Sequence, residues 1–151
     1  MNDNHNPKKS LILFGLNEKL NLLVNLYNKD KLPKVLMLTG KKGIGKFTLV
    51  NHFLNYVYDK NNYNLEKQCI NEKTDFFKKN LSIIFPNIIH ISGDNFKNVK
   101  VDDIRFLKSS ILKTTILNKE RFIILDDIEL FNTNSLNSLL KIIEEPTTNN
   151  Y

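Results

Sequence analysis

The chain has 151 residues, of which 41% are hydrophobic, and it carries a formal net charge of +6 with a pI near 9.3. That length suits one domain of ordinary size or a piece of a larger protein. No run of 18 apolar residues occurs, residues 1–9 lack the apolar core of a signal peptide, and Cys69 is the single cysteine. The reading is therefore a cytoplasmic chain with no membrane part, no disulfide framework and no cysteine zinc site.

The positive balance invites a nucleic-acid reading. However, Arg105 and Arg121 are the only arginines, and asparagine, lysine and isoleucine recur along the whole chain. A coding bias acting on exposed positions accounts for the charge better than a binding stripe does.

Residues 1–10 read as a flexible polar tail. Leu16, Leu20, Leu23, Val24 and Tyr27 recur at helical spacing, so residues 17–28 form a first amphipathic helix, with Asn17 as its N-cap. Residues 35–39, Val-Leu-Met-Leu-Thr, are a continuous apolar run bounded by Pro33 and Gly40, the pattern of a buried parallel strand.

Gly40, Lys41, Lys42, Gly43, Ile44, Gly45, Lys46, Phe47 and Thr48 come next, and an apolar-faced helix follows. Strand, glycine-rich loop and helix are the setting of a P-loop, G-x-x-x-x-G-K followed by Ser or Thr. Glycines let backbone N–H groups turn inward around an anion, the helix N-terminus adds its dipole, and Lys46 reaches toward the β- and γ-phosphates. The position after the lysine should supply a hydroxyl to Mg²⁺, but it is Phe47. Thr48 lies about 100° further round a helix of about 3.6 residues per turn and cannot stand in. Nucleotide binding through the backbone and Lys46 survives this change more easily than metal-assisted hydrolysis. The competing reading is a lysine-rich surface turn with no ligand.

In the second helix Phe47, Val50, Phe53, Leu54 and Val57 form the apolar face. Residues 59–80 read as a loop holding one loosely defined helix that residues 81–85 extend. Residues 88–91 form a second strand, on which His90 reads first as a partly buried histidine without function and second as a ligand. A helix is expected around Val101, Ile104, Leu107 and Ile111, with Asp102 and Asp103 in its first turn.

Residues 122–127, Phe-Ile-Ile-Leu-Asp-Asp, form a third buried strand ending in acids, the Walker B pattern. Asp126 is placed to hold Mg²⁺ at the mouth of an α/β sheet. Asp127 stands where a glutamate would polarise the attacking water, shorter by one methylene, about 1.5 Å of reach. A misplacement of that order costs roughly 10²-fold in rate. Leu136, Leu139, Leu140 and Ile143 mark a last helix, which Pro146 halts.

These motifs resemble the N-terminal part of the delta-prime subunits of the bacterial DNA polymerase III clamp loader, which are AAA+ P-loop proteins. The resemblance runs over residues 13–146. Its most specific run is Asn137-Ser138-Leu139-Leu140-Lys141-Ile142-Ile143-Glu144-Glu145-Pro146, similar to the family's Asn-Ala-Leu-Leu-Lys-x-Leu-Glu-Glu-Pro helix. The resemblance implies an α/β P-loop NTPase fold of AAA+ type, a parallel sheet flanked by helices. It makes residues 11–151 an incomplete nucleotide-binding domain, with lid and collar beyond Tyr151. It implies a role in loading the sliding clamp onto primed DNA, with gamma/tau and delta subunits as partners and with weak or no ATP and Mg²⁺ binding. Phe47 and Asp127 favour delta-prime over an active gamma/tau-type motor; a non-functional P-loop fragment is the third reading. The zinc module of many relatives is not expected here.

The AAA+ strand order 5-1-4-3-2 implied by the resemblance sets strand 4 between strands 1 and 3. Residues 35–39, 88–91 and 122–126 supply strands 1, 2 and 3. Strand 4 is expected beyond Tyr151, which leaves residues 35–39 without a ladder partner on either side.

Overall fold

A computed structural model describes residues 6–82, 84–93, 109, 119–145 and 149–151. They fall into two compact units, Met1–Leu32 with Met37–Phe85, and Pro33–Leu36 with Pro86–Tyr151. The expected helix around residues 101–111 and the stop at Pro146 lie outside the described residues.

The first unit is helical. Helix α1, Asn17–Asn28, buries Leu20, Leu23 and Val24, the i, i+3, i+4 stripe that its sequence spells. Its N-cap is Leu16 rather than Asn17, and no side chain caps it. At the other end Asp30 turns left-handed at φ 54°, and the amide of Lys31 reaches back to the Leu26 carbonyl at 2.8 Å, closing the helix as a Schellman turn does. Helix α2, Lys46–Tyr58, packs on α1 through the edge-on rings of Tyr27 and Phe53 and a hydrogen bond between Asn28 and Tyr56.

The buried face of α2 is not the expected apolar one. Leu49, Phe53, Leu54 and Tyr56 are buried, but so are Asn51, His52 and Asn55, while Phe47, Val50 and Val57 are only half-buried. The polar groups are partnered. Asn80 Nδ2 donates to Asn51 Oδ1 at 2.9 Å, and Asn55 Nδ2 donates to the Asn51 carbonyl at 2.8 Å. His52 Nε2 lies 3.0 Å from the Ser10 carbonyl, and Nδ1 lies 3.0 Å from the Tyr63 hydroxyl. A carbonyl only accepts, so Nε2 carries the proton and Nδ1 accepts from Tyr63. Burial lowers the His52 pKa to about 4, against the smaller upward pull of the Ser10 bond. Burial also pushes the Tyr63 phenol upward.

This network seats residues 6–10 on α2. A 3-10 turn at Pro7–Lys9 is capped by the Asn6 side chain, and Asn51 donates to the Lys8 carbonyl at 3.4 Å. Residues 11–13 then clip onto residues 68–70 through the amides of Leu13 and Ile70. Helix α3, Asp75–Leu81, starts at Thr74, whose hydroxyl accepts from the Phe77 amide. The helix stops at Leu81 and does not run on toward Phe85. Phe85 instead packs against Tyr58, tilted, and Phe76, edge-on, with ring centroids 4.8 and 4.9 Å apart.

The second unit is a parallel sheet with a helix. Strands β1, Ile88–Ser92, and β2, Phe122–Asp126, pair in parallel from Ile88 opposite Phe122 to Ser92 opposite Asp126. Helix α4, Thr133–Glu144, starts where the Asn132 carboxamide accepts from the Ser135 amide at 2.9 Å, an N-cap bond. Leu139 meets Ile91 and Phe131 in the core, with Leu136 and Ile143 packed around them, but Leu140 is exposed. The chain is α/β, with a parallel sheet and flanking helices.

One strand expectation is corrected. Residues 35–39 form no strand; Val35, Leu36 and Met37 are exposed. An apolar run becomes a strand only when a neighbour takes its N–H and C=O groups. The outer edge of β2 is met by residues 149–151. The Arg121 amide donates to the Asn149 carbonyl, Tyr151 donates to the Arg121 carbonyl, and Ile123 donates to the Tyr151 carbonyl, at 2.8–2.9 Å. The Tyr151 ring stacks on Phe122 at 5.3 Å, and the Lys34 ammonium sits 3.8 Å over it.

Candidate functional site

The glycine-rich loop lies in the first unit. Gly40, Gly43 and Gly45 sit at φ 151°, 82° and 96°, where a side chain is strained. Gly45 is the left-handed N-cap of α2, and its carbonyl accepts the first helical bond, from the Leu49 amide at 2.9 Å. A Cβ at Gly45 would stand 3.2 Å from Leu16 Cδ1, so the glycine also permits a close approach. Helix geometry leaves the amides of the first turn, from Lys46 onward, without intrahelical acceptors. The Lys46 ammonium folds back over the loop, donating to the Gly40 carbonyl at 2.9 Å and the Lys41 carbonyl at 3.3 Å. The turn between them is closed by a bond from the Ile44 amide to the Lys41 carbonyl. Lys46, Phe47 and Thr48 are half-buried, and Ile44 is exposed. Gly15, Leu16, Asn17, Glu18 and Lys19 line an open depression of about 440 Å³ in the same unit.

The acids lie in the second unit, at the carboxyl end of β2. Asp126 Oδ1 accepts from the Asp127 amide at 3.1 Å, and Oδ2 lies 3.9 Å from His90 Nε2. His90 faces Ile124 across the ladder, which sets it on the same sheet face as Asp126, two residues further on. Asp127 adopts left-handed φ 48°, ψ 47° and starts the 3-10 turn Ile128–Leu130. The amide of Gly93, just after β1, donates to the Asp126 carbonyl at 3.0 Å. A Cβ at Gly93 would meet the Asp127 carbonyl oxygen at 2.6 Å and Leu130 Cβ at 2.8 Å. Only glycine fits there.

Gly40, Gly43, Ile44, Gly45, Lys46, Phe47 and Thr48 are thus gathered in one unit, and Asp126 and Asp127 in the other. Gly93 is the residue that sequence reading missed. For His90 the inert reading ranks ahead of a ligand, and the strand register sets it beside Asp126. A Gly after an apolar strand was the available signal for Gly93.

The residues fit Mg²⁺ in part. Asp126 offers a carboxylate that is 33% exposed at a sheet mouth, and Mg²⁺ commonly takes one or two carboxylates with phosphates and waters. Phe47 offers no oxygen. Among the described residues no group of three or more His, Cys, Asp or Glu side chains could hold a metal ion.

A family profile described as DNA polymerase III, delta subunit, matches residues 15–151. The chain belongs to this clamp-loader family. It is 29% identical over 124 residues to the DNA polymerase III subunit gamma/tau of Mycoplasma genitalium, a match covering 82% of this chain and 20% of that protein. It is likewise 29% identical over 112 residues to the DNA polymerase III subunit gamma of Buchnera aphidicola, covering 73% and 29%. The chain therefore spans less than a third of the curated relatives it matches. No described helix is long and apolar enough to cross a membrane.

Proposed function

We propose that this chain is the P-loop portion of a delta-prime-type clamp-loader subunit, acting in the cytoplasm. It helps load the sliding clamp onto primed DNA in an assembly with gamma/tau and delta subunits, and contacts clamp and DNA through that assembly. Residues 11–151 are then part of an AAA+ domain, and residues 40–48 bind ATP weakly, with little hydrolysis. The carrying observation is a loop of P-loop spacing with three glycines at positive φ, whose lysine is followed by Phe47 where Mg²⁺ needs a hydroxyl. The left-handed Asp127 in place of glutamate points the same way.

A gamma/tau-type motor is the second reading, favoured by the names of the two relatives above. One experiment separates them. Calorimetry with a non-hydrolysable ATP analogue should show weak binding that Lys46→Ala weakens by about 1.5–3 kcal/mol, as loss of a charge-assisted contact does. Turnover of ATP should stay near background. Motor-like turnover gives the assignment to gamma/tau, and equal binding by wild type and Lys46→Ala makes the loop vestigial.

A further inference from the structure

We infer that the first unit grips the phosphate backbone of duplex DNA directly, on a lysine face made by the 3-10 turn Pro7–Lys9 and the last turn of α3. The charge of the chain is not evenly spread. The first unit carries thirteen lysines against seven acidic residues, and the second carries nine cations against nine acidic residues. The whole surplus of +6 therefore lies in one unit. A coding bias acting alike on every exposed position would share it between the two. The kind of cation is segregated as well. Arg105 and Arg121 both belong to the second unit, and the first has lysine alone.

The fold gathers four of these lysines. The Asn51 side chain on α2 donates to the Lys8 carbonyl at 3.4 Å and accepts from Asn80 of α3 at 2.9 Å, so the turn and the helix end meet at one residue. Lys8 and Lys9 approach this junction from the turn, and Lys78 and Lys79 from the last turn of α3. Lys9, Lys78 and Lys79 are exposed, and Lys8 is half-buried. Asp75 stands one helical turn before Lys79, and with it counted the group keeps a surplus of three positive charges. The residue type then chooses the partner. Lysine is a hydrated point charge that meets a phosphate without the fixed fork of arginine. Protein–protein interfaces are depleted in lysine and enriched in arginine and aromatic residues. A lysine-only face fits a row of phosphates and carries no base readout. The cluster lies outside residues 40–48 and stands apart from the nucleotide reading. Only the choice of DNA over other duplexes rests on the proposed function.

The test is fluorescence anisotropy of a short labelled DNA duplex titrated with the full 151-residue chain, without ATP, at several salt concentrations. Neutralising three or four phosphates gives a slope of log affinity on log salt of about −3 to −4. Lys78→Gln together with Lys79→Gln should lower affinity by about tenfold or more at low salt and flatten the slope by about 2. Lys29→Gln together with Lys31→Gln removes the same charge from exposed positions of the same unit and should change affinity by less than about threefold. Both pairs keep residues 40–48, so the lysines of the loop cancel from the comparison. Equal losses in the two pairs would make the binding a matter of net charge and overturn the face. A slope shallower than about −2 in the unaltered chain overturns it without any variant. Displacement of the duplex by poly-glutamate at equal charge overturns the phosphate assignment in favour of an acidic protein partner. An RNA duplex of equal length should bind no more tightly than DNA, and tighter binding overturns the choice of DNA. None of these readouts involves ATP, so their failure is distinct from a failure of the nucleotide reading.

Discussion

The two candidate sites are made from opposite materials. The loop of the first unit is built of backbone. Its shape comes from glycines at positive φ, and its one important side chain, Lys46, is held by two carbonyls of the loop itself. The corner of the second unit is built of side chains on a strained backbone. Asp126 and His90 face each other, and the turn that carries them depends on a non-glycine residue at φ 48° and on a glycine with no room for a Cβ. A backbone site tolerates change at the positions between its glycines, which is why Phe47 can replace a hydroxyl without unmaking the loop. A side-chain site has no such tolerance.

Gly93→Ala is the change expected to strike hardest. The new methyl would stand 2.6 Å from a backbone oxygen and 2.8 Å from Leu130 Cβ, so two turns must separate. Overpacking typically costs about 1–3 kcal/mol, and a backbone obstacle belongs at the top of that range. Chemical denaturation should show a loss near 3 kcal/mol. A loss below about 1 kcal/mol would mean that the Gly93 and Asp127 turns do not approach as described, and the corner would then resemble the loop in tolerance.

Acid should separate the two units next. His52 is fully buried and neutral, with its folded pKa lowered to about 4 from an unfolded value near 6.5. Between those values the unfolded chain binds the proton that the folded chain refuses. The stability of the first unit is therefore full above pH 6.5 and falls as pH drops toward 4, by up to roughly 3 kcal/mol in all. The expected sign is loss on acidification, with residues 6–10 released as the Ser10 bond breaks. Nuclear magnetic resonance of the His52 ring against pH checks it. Titration near 6.5 in the folded protein would show that the ring is hydrated and the polar seam on α2 is not closed.

The seam also marks where the sequence stopped being legible. Apolar periodicity located α1, α2, α4 and both strands because those elements bury apolar stripes. It misassigned the buried face of α2, since Asn51 and His52 are buried through Asn80, Tyr63 and Ser10, partners that no local pattern shows. Residues 35–39 failed for the converse reason. Their composition is that of a strand, but a strand is a property of pairs, and pairing is not written in one segment. The glycines of the loop were legible because their spacing carries chemistry, whereas Gly93 stands alone. The approach of His90 to Asp126 was not legible because it lies in the register of β1 on β2, about thirty residues away in sequence.

The smallest effect is the most direct test of the contrast. In a working P-loop ATPase the residue after the metal-binding aspartate is expected to be glutamate, and Asp127→Glu is the obvious repair. Here the backbone opposes it. Asp127 sits at φ 48°, ψ 47°, a region that aspartate and asparagine enter more readily than longer side chains because a short polar group is tolerated there. Asp127→Glu should therefore destabilise the chain by about 0.5–1 kcal/mol, whereas Asp127→Asn should stay within about 0.5 kcal/mol of wild type. Such differences are resolved by paired denaturation curves at equal slope. If glutamate is accepted without loss, residue 127 is under no backbone constraint, and the short acid is a simple change of side chain. If glutamate costs stability and asparagine does not, the turn itself selects a short polar residue. Restoring hydrolysis would then require reshaping the corner, not only lengthening its acid.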